Sequence, residues 1–294
     1  VTQGQLAYER DSDAWRWQLS AAQLQDASDN VVDLMMRRMV GLGSSTQQML
    51  RIGACIGKRF RLSLMAQVAQ LSEAQALAWL AGPLHQELLT PVDDAGTTRS
   101  FQFAHDRIQQ AAYALVGQQS LTQLHVRIGR ALWPPATQQL SDGELFLLVD
   151  HLSHGQRQIT LWEERVALAR LGLRAGQRAL ASMAHQAAAK YFKNAVALLA
   201  KDGWTREASV LRELHIHWAM ALVAVGDLDQ CRATYDQLLC QVTQPERRIW
   251  LRLRQLRLLS QAQHFSQALQ VGWLALQEAG LALPALDDTQ ALAL

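Results

Sequence analysis

Phe101-Gln-Phe-Ala-His-Asp-Arg-Ile-Gln-Gln-Ala-Ala-Tyr113 decides the fold. Phe101 to Phe103 alternates apolar and polar as a short strand does. From Asp106 the period turns helical, with Ile108, Ala111, Ala112 and Leu115 along one side. Asp106 is placed to cap that helix, Gln109 stands at the answering position three residues on, and Gly117 closes it. Immediately upstream, Leu88 to Val92 is a second short apolar stretch. The polar turn Asp93-Asp-Ala-Gly96 between the two predicts a hairpin. Before the hairpin, Thr46 to Gly57, Leu62 to Leu71 and Ser72 to Leu80 read as helices, the last opening on a Ser72/Gln75 capping box. Helices followed by a two-stranded wing make a winged-helix-like module.

Further upstream, Val31, Leu34, Met35 and Met39 form a helical stripe with Asp29 or Asn30 as N-cap and Gly41 or Gly43 as stop. Residues 1–27 alternate weakly through Leu6, Tyr8, Trp15, Trp17 and Leu19, as short strands or an irregular arm would. Downstream of Leu121 only helical pattern remains, with breaks expected at Pro134 and Pro135, Gly143, Gly155, Gly203, Gly226 and Pro245. Three small-residue and aromatic-or-glycine pairs superpose: Ala187 with Tyr191, Cys231 with Tyr235, and Ala268 with Gly272, spaced by 44 and 37 residues. Tetratricopeptide repeats are shorter, at about 34 residues, but share this logic of a small residue where helices approach and an aromatic between repeats. The expectation is a mainly helical, all-α chain: an arm over 1–27, a winged-helix-like domain over 28–120, and a tetratricopeptide-like α-solenoid over 121–294.

Composition narrows the function. Lys plus Arg number 28 against 26 Asp plus Glu, so no excess of positive charge argues for nucleic acid or anionic membrane as the main partner. One local cluster exists, Arg247, Arg248, Arg252, Arg254 and Arg257. It reads as a solvated helix face or, less commonly, as a site for an acidic partner. Cys55, Cys231 and Cys240 lie in helical pattern with no C-x-x-C pair, so neither a disulfide framework nor a zinc site is expected and a reducing cytoplasm fits. No run approaches the roughly 18 apolar residues of a spanning helix, and Val1 opens a polar stretch instead of a signal peptide. The chain starts without Met and stops inside a new segment, Asp287 to Leu294, which suggests a piece of a longer protein.

Few residues carry chemistry. Gly53-Ala-Cys-Ile-Gly57-Lys58 has one residue too few for a phosphate loop, and Arg59 stands where a magnesium-binding Ser or Thr belongs; a helix C-cap accounts for it. His215 and His217 would point to different sides of a helix. His151 and His154 would share a side, without an evident third ligand. No G-x-S-x-G, H-E-x-x-H or paired-carboxylate arrangement is present, so no catalytic residue or metal site is assigned. Trp162, Trp204, Trp218, Trp250 and Trp273 read as core and inter-repeat packing. His105 and Asp106 sit where a strand hands over to a helix N-terminus, whose free N–H groups and positive dipole end suit a phosphate. The structural alternative is that Asp106 caps the helix and His105 fixes the strand end.

A set of motifs carries a resemblance: Asp29-Asn-Val-Val-Asp-Leu-Met35, Thr46-Gln47, Ala54-Cys-Ile-Gly57 with Phe60, the Phe103 to Tyr113 string, and His125 with Ile128-Gly-Arg130. Together they resemble the nucleotide-switch (STAND-class, AAA-type) ATPase module of large bacterial signalling proteins, where a serine/threonine kinase-like domain precedes the ATPase and sensor and histidine kinase domains follow. The likeness continues through Leu171 to Tyr191 and Ala279-Gly-Leu-Ala-Leu-Pro284, nearly the whole chain. It implies that this chain begins after the phosphate loop and the magnesium-binding aspartate, with residues 1–27 the end of the ATPase core if not an irregular arm, so ATP or ADP with magnesium belongs to the longer protein and no cofactor to this segment. Related apoptotic and plant-resistance switches carry a His-Asp pair at the corresponding position, the histidine touching the β-phosphate of ADP. By that resemblance His105 is a nucleotide sensor, Asp106 its helix-start partner and Arg107 a further candidate.

The expected function is thus a regulatory and protein-interaction segment, not an enzyme by itself. Its partners would be an upstream ATPase core, the attached kinase domains, and an unidentified protein or ligand on the repeats. A scaffold without nucleotide coupling is the competing expectation. A winged-helix transcriptional regulator is a third, weakened because Leu62 to Leu71 carries no Lys or Arg and the wing is acidic at Asp93 and Asp94.

Overall fold

The computed structural model describes residues 6–9, 14–17, 39–92, 99–134, 140–199 and 202–281. The expected helix around Asp29 to Met35, the wing turn Asp93 to Gly96, Pro135 and Ala282 to Pro284 lie outside them. The chain is mainly helical. It divides into two compact units, Val1–Pro135 and Ala136–Leu294.

The first unit starts with a short antiparallel pair, β1 (Leu6–Glu9) against β2 (Ala14–Trp17), Leu6 opposite Trp17. Helix α1 (Ser44–Ile56) buries Met49, Leu50, Ile52 and Ile56, the stripe its spacing dictates. It ends at Gly57, whose φ of 149° suits glycine, with the Gly57 N–H on the Gly53 carbonyl at 3.0 Å. The glycines that mimic a phosphate loop therefore serve the fold: a Cβ at Gly53 would stand 2.9 Å from Met65 Cε and from Phe60 Cε1.

Strand β3 (Arg59–Arg61) follows, then α2 (Leu62–Ala69), α3 (Glu73–His85), β4 (Leu89–Val92) and β5 (Ser100–Phe103). The Ser72/Gln75 box forms as its sequence demands, each backbone N–H on the other's side chain at 3.1 and 3.2 Å. The sheet differs from the expected two-stranded wing. It has three strands in the order β3–β5–β4, with Phe60 opposite Phe101 and Leu89 opposite Phe103. Three residues wedged between helices give almost no period-two signal, which is why β3 is hidden; only the alternation of Arg59, Phe60 and Arg61 betrays it. Phe60 meets Phe103 edge-on at 5.8 Å and Phe101 at 6.4 Å, and all three are buried. Burying each such ring contributes roughly 1.5–3 kcal/mol.

Helix α4 (Asp106–Ala114) leaves β5, and α5 (Gln118–Leu132) follows. A domain boundary at 120/121 follows from the sequence, yet α5 packs with the first unit. Leu124 and Ile128 join the core of α1 and α2, and the Arg127 guanidinium donates to the Val68 carbonyl.

The second unit is a run of antiparallel hairpins: α6 (Asp142–His154), α7 (Trp162–Ala181), α8 (His185–Leu199), the single turn α9 (Gly203–Arg206), α10 (Ala208–Val225), α11 (Leu228–Cys240), α12 (Pro245–Gln261) and α13 (Phe265–Glu278). Neighbours pack α7 on α8, α8 on α10, α10 on α11 and α12 on α13, the order of an α-solenoid. Gly155, Gly226 and Pro245 do mark helix ends. Gly143 does not: it lies in the first turn of α6, which Ser141 and Glu144 cap. Cys231, Tyr235 and Ala268 are buried as the repeat pattern requires. In α8 the fully buried pair is Ala188 with Phe192, one residue past the expected Ala187 and Tyr191, because Phe192 closes on Gly176 of α7. Among the described residues, no helix is long and apolar enough to cross a membrane.

Candidate functional site

The strand-to-helix junction is built by hydrogen bonds from both sides. Phe103 N–H donates to the Lys58 carbonyl at 3.0 Å and Ala104 N–H to the Leu88 carbonyl at 3.1 Å, so β5 is anchored up to its last residue. His105 is extended, at φ −147° and ψ 147°, and its carbonyl accepts the first helical bond, from Ile108 N–H at 3.0 Å. Its side chain caps α4: Nδ1 accepts from the Arg107 N–H at 3.1 Å.

This corrects the expected cap. Asp106 is the first helical residue, its carboxylate 2.7 Å from Lys58 Nζ. The hydrogen bond and the charge of Lys58, with a smaller contribution from His105, hold the Asp106 carboxyl below the usual carboxylate range. Gln109 does not answer Asp106 either; its amide donates to the Ala54 carbonyl of α1 at 3.2 Å. Arg107 reaches along its own helix to Gln110 Oε1 at 3.0 Å. The three expected residues thus stand together on an exposed helix N-terminus, joined by Lys58, which the sequence reading did not assign. The ion pair that brings Lys58 in spans two distant stretches of chain, and no local pattern announces it.

The cap has a chemical consequence. A ring nitrogen that accepts from a backbone N–H carries no proton, so neutral His105 holds its proton on Nε2. The exposed edge of the ring is then an N–H donor, set beside the positive end of α4 and the Lys58 ammonium, an arrangement that can bind an anion.

No family model matches this chain, and neither does a solved structure. Over 292 residues it is 24% identical to the hybrid signal transduction histidine kinase G of Dictyostelium discoideum, covering 80% of this chain and 8% of that protein. The chain is therefore similar to a small part of a much longer signalling protein.

Elsewhere, titratable groups serve packing. Burial raises the thiols of Cys55 and Cys231 to about 12, far from thiolate reactivity. His151 is buried, and His154 Nδ1 sits 2.8 Å from the Asp150 carbonyl of its own helix. No group of three His, Cys, Asp or Glu side chains is placed to hold a metal among the described residues. The tryptophans split. Trp218 is buried, and Trp162 lies under the Arg206 guanidinium at 4.1 Å. Trp250 and Trp273 are instead 51% and 40% exposed, contrary to the expected core role.

Proposed function

We propose that this chain is a regulatory, protein-interaction segment of a larger signalling protein, and that His105 senses a nucleotide held by an ATPase core lying upstream of it. The observation that carries the reading is the capped ring. Nδ1 is engaged by the Arg107 N–H, which leaves the Nε2 proton exposed at a helix N-terminus where a phosphate is favoured. The three-stranded sheet with α1, α2, α3 and α4 fits a winged-helix-like module whose wing is β4 and β5. Similarity to a hybrid histidine kinase supports a place in signal transduction.

In this reading ADP, with magnesium on the core, holds the module through His105. Asp106 positions Lys58 beside it, and Arg107 supplies the N–H that fixes the ring. A partner on the helical hairpins favours the released state and so permits exchange to ATP and signalling to attached kinase domains, all in the cytoplasm. Such a switch works only through differential affinity for its two states. The segment performs no catalysis itself and binds neither nucleic acid nor membrane.

The test is calorimetry of ADP with the longer protein that includes the upstream core, with the 294-residue chain as a control that binds negligibly. His105→Asp keeps an acceptor for the Arg107 N–H but replaces the donor with an anion, so ADP affinity falls at least tenfold while the fold is kept. Unchanged affinity in His105→Asp and His105→Ala overturns the sensor role.

A further inference from the structure

Helix α12 sorts its arginines. Arg248 and Arg252 turn toward α13 and share the Glu278 carboxylate at 2.9 and 3.4 Å. Arg247, Arg254 and Arg257, with Trp250 among them, form a separate stripe along α12 facing α10. Two cavities open along that stripe and share the Trp250 ring. One, of about 390 Å³, lies against Met220, Tyr235, Leu253, Arg254 and Arg257. The other, of about 370 Å³, lies against Arg212, Ile216, Arg247 and Leu251.

Three features of this groove lack a structural explanation. Trp250, Leu253 and Met220 are 51%, 52% and 38% exposed side by side, an apolar cluster of a kind that isolated surface residues do not make. Arg212, Arg247, Arg254 and Arg257 make no ion pair among the described residues, and no carboxylate lines either cavity. At the floor, Tyr235 is fully buried, yet its hydroxyl has no hydrogen-bond partner among the described residues. Buried hydroxyls are normally satisfied, so an acceptor is missing here.

We propose that the groove between α10 and α12 binds an acidic peptide segment carrying large apolar side chains. The apolar side chains pack on Trp250, Leu253 and Met220, and its carboxylates pair with Arg212, Arg247, Arg254 and Arg257. Charge complementarity selects this occupant: four cations without a counter-anion among the described residues, flanking an apolar floor. A nucleic acid would use the cations but leave the floor between them unfilled, since only Trp250 could stack a base. Arg254 already lies over the Trp250 ring at 5.4 Å, an aromatic and arginine pairing typical of interface hot spots. The inference stands apart from the His105 reading, and either can fail alone.

The experiment is selection of a displayed library of random peptides, about 16 residues long, on the full 294-residue chain. Binding of the enriched pool is then measured to the chain, to Trp250→Ala and to Arg254→Glu/Arg257→Glu, with circular dichroism confirming their fold. The expected pool is net acidic with recurring Leu, Phe or Trp, and both variants lose at least tenfold in affinity while Trp250→Phe retains most of it. Arg257 and Trp250 are exposed, so these changes leave the helix intact. No enrichment, a pool without acidic bias, or equal binding to Trp250→Ala overturns the proposal. So does displacement of the pool by a single-stranded oligonucleotide at equal charge, or a dimer of the chain in sedimentation that Trp250→Ala dissolves.

Discussion

The backbone N–H of Arg107 donates to His105 Nδ1 at 3.1 Å, so one side chain both caps α4 and fixes its own tautomer. An N-cap acceptor is worth about 1 kcal/mol, within roughly 0.5–2. His105→Ala should lower the urea unfolding free energy by that amount, and His105→Asn or His105→Asp should restore it, because both supply an oxygen to the same N–H. Equal stability of the Ala and Asp variants would show that the bond contributes nothing. The Asp variant separates two roles of one residue: it keeps the cap and removes the donor.

Gly176 of α7 lies against the ring of Phe192 in α8 so closely that a Cβ would come within 2.3 Å of Cε1. Helix propensity alone favours Gly→Ala by about 1 kcal/mol. Here the steric term wins, since Phe192 is fully buried and Cε1, Cζ and Cδ1 of its ring would all lie within 2.7 Å of the new Cβ. Gly176→Ala should therefore destabilise by roughly 1–3 kcal/mol, the scale of core overpacking. Gly143→Ala, whose Cβ would meet nothing within 4 Å, should be neutral or stabilising. A double change, Gly176→Ala with Phe192→Leu, should cost less than the two single changes added, and strict additivity would refute the contact.

These two sites show what could be read along the chain. The Ser72/Gln75 box, the strand-to-helix handover at His105 and the turn at Gly226 are local, set by residues three or four apart, and sequence pattern reports local physics well. Helix ends at Gln70, Glu87, Met183 and Gln263 are also left-handed, with φ of 59°, 54°, 60° and 64°, but no glycine marks them. At Met183 and Gln263 the helical pattern runs on unbroken, whereas the Ser72 cap already announces the break after Gln70. The Lys58–Asp106 pair, the third strand at Arg59–Arg61 and the cluster around Trp250 depend on which distant elements meet. The residue types at the candidate site were therefore legible, while their division of labour was not: His105 took the cap expected of Asp106.

Glu278 ties the last hairpin together by receiving both Arg248, at 2.9 Å, and Arg252, at 3.4 Å. Arg252 is only 11% exposed and Glu278 20%, so screening by water is modest and the charged hydrogen bonds count for more than a surface pair. Arg248 also donates to the Leu239 carbonyl at 2.6 Å, binding α11 to the same cluster. Glu278→Gln should lower stability by roughly 1–3 kcal/mol, with the loss largest in hydrogen exchange of α12 and α13. A variant as stable as the parent would mean the two guanidiniums find equivalent partners in water.

His215 supplies a pH dependence of definite sign. It is buried in α10, with Nδ1 2.7 Å from the Leu211 carbonyl, Nε2 3.3 Å from Gln237 Oε1 and the Trp204 ring 5.2 Å away. Burial pushes its pKa below the ordinary 6.5, and the two hydrogen bonds only partly oppose that. The unfolded chain therefore takes up the proton first as pH falls. The contribution of neutral His215 is complete above the ordinary value, declines through the interval between the ordinary and the depressed value, and is lost below it. Other histidines titrate in the same range, so the informative quantity is the difference in unfolding free energy between the parent and His215→Gln. That difference should be constant above pH about 7.5 and shift against the parent as pH drops below about 6.5. A shift in the parent's favour would mean that the folded state prefers the imidazolium, the two acceptors at Leu211 and Gln237 outweighing burial.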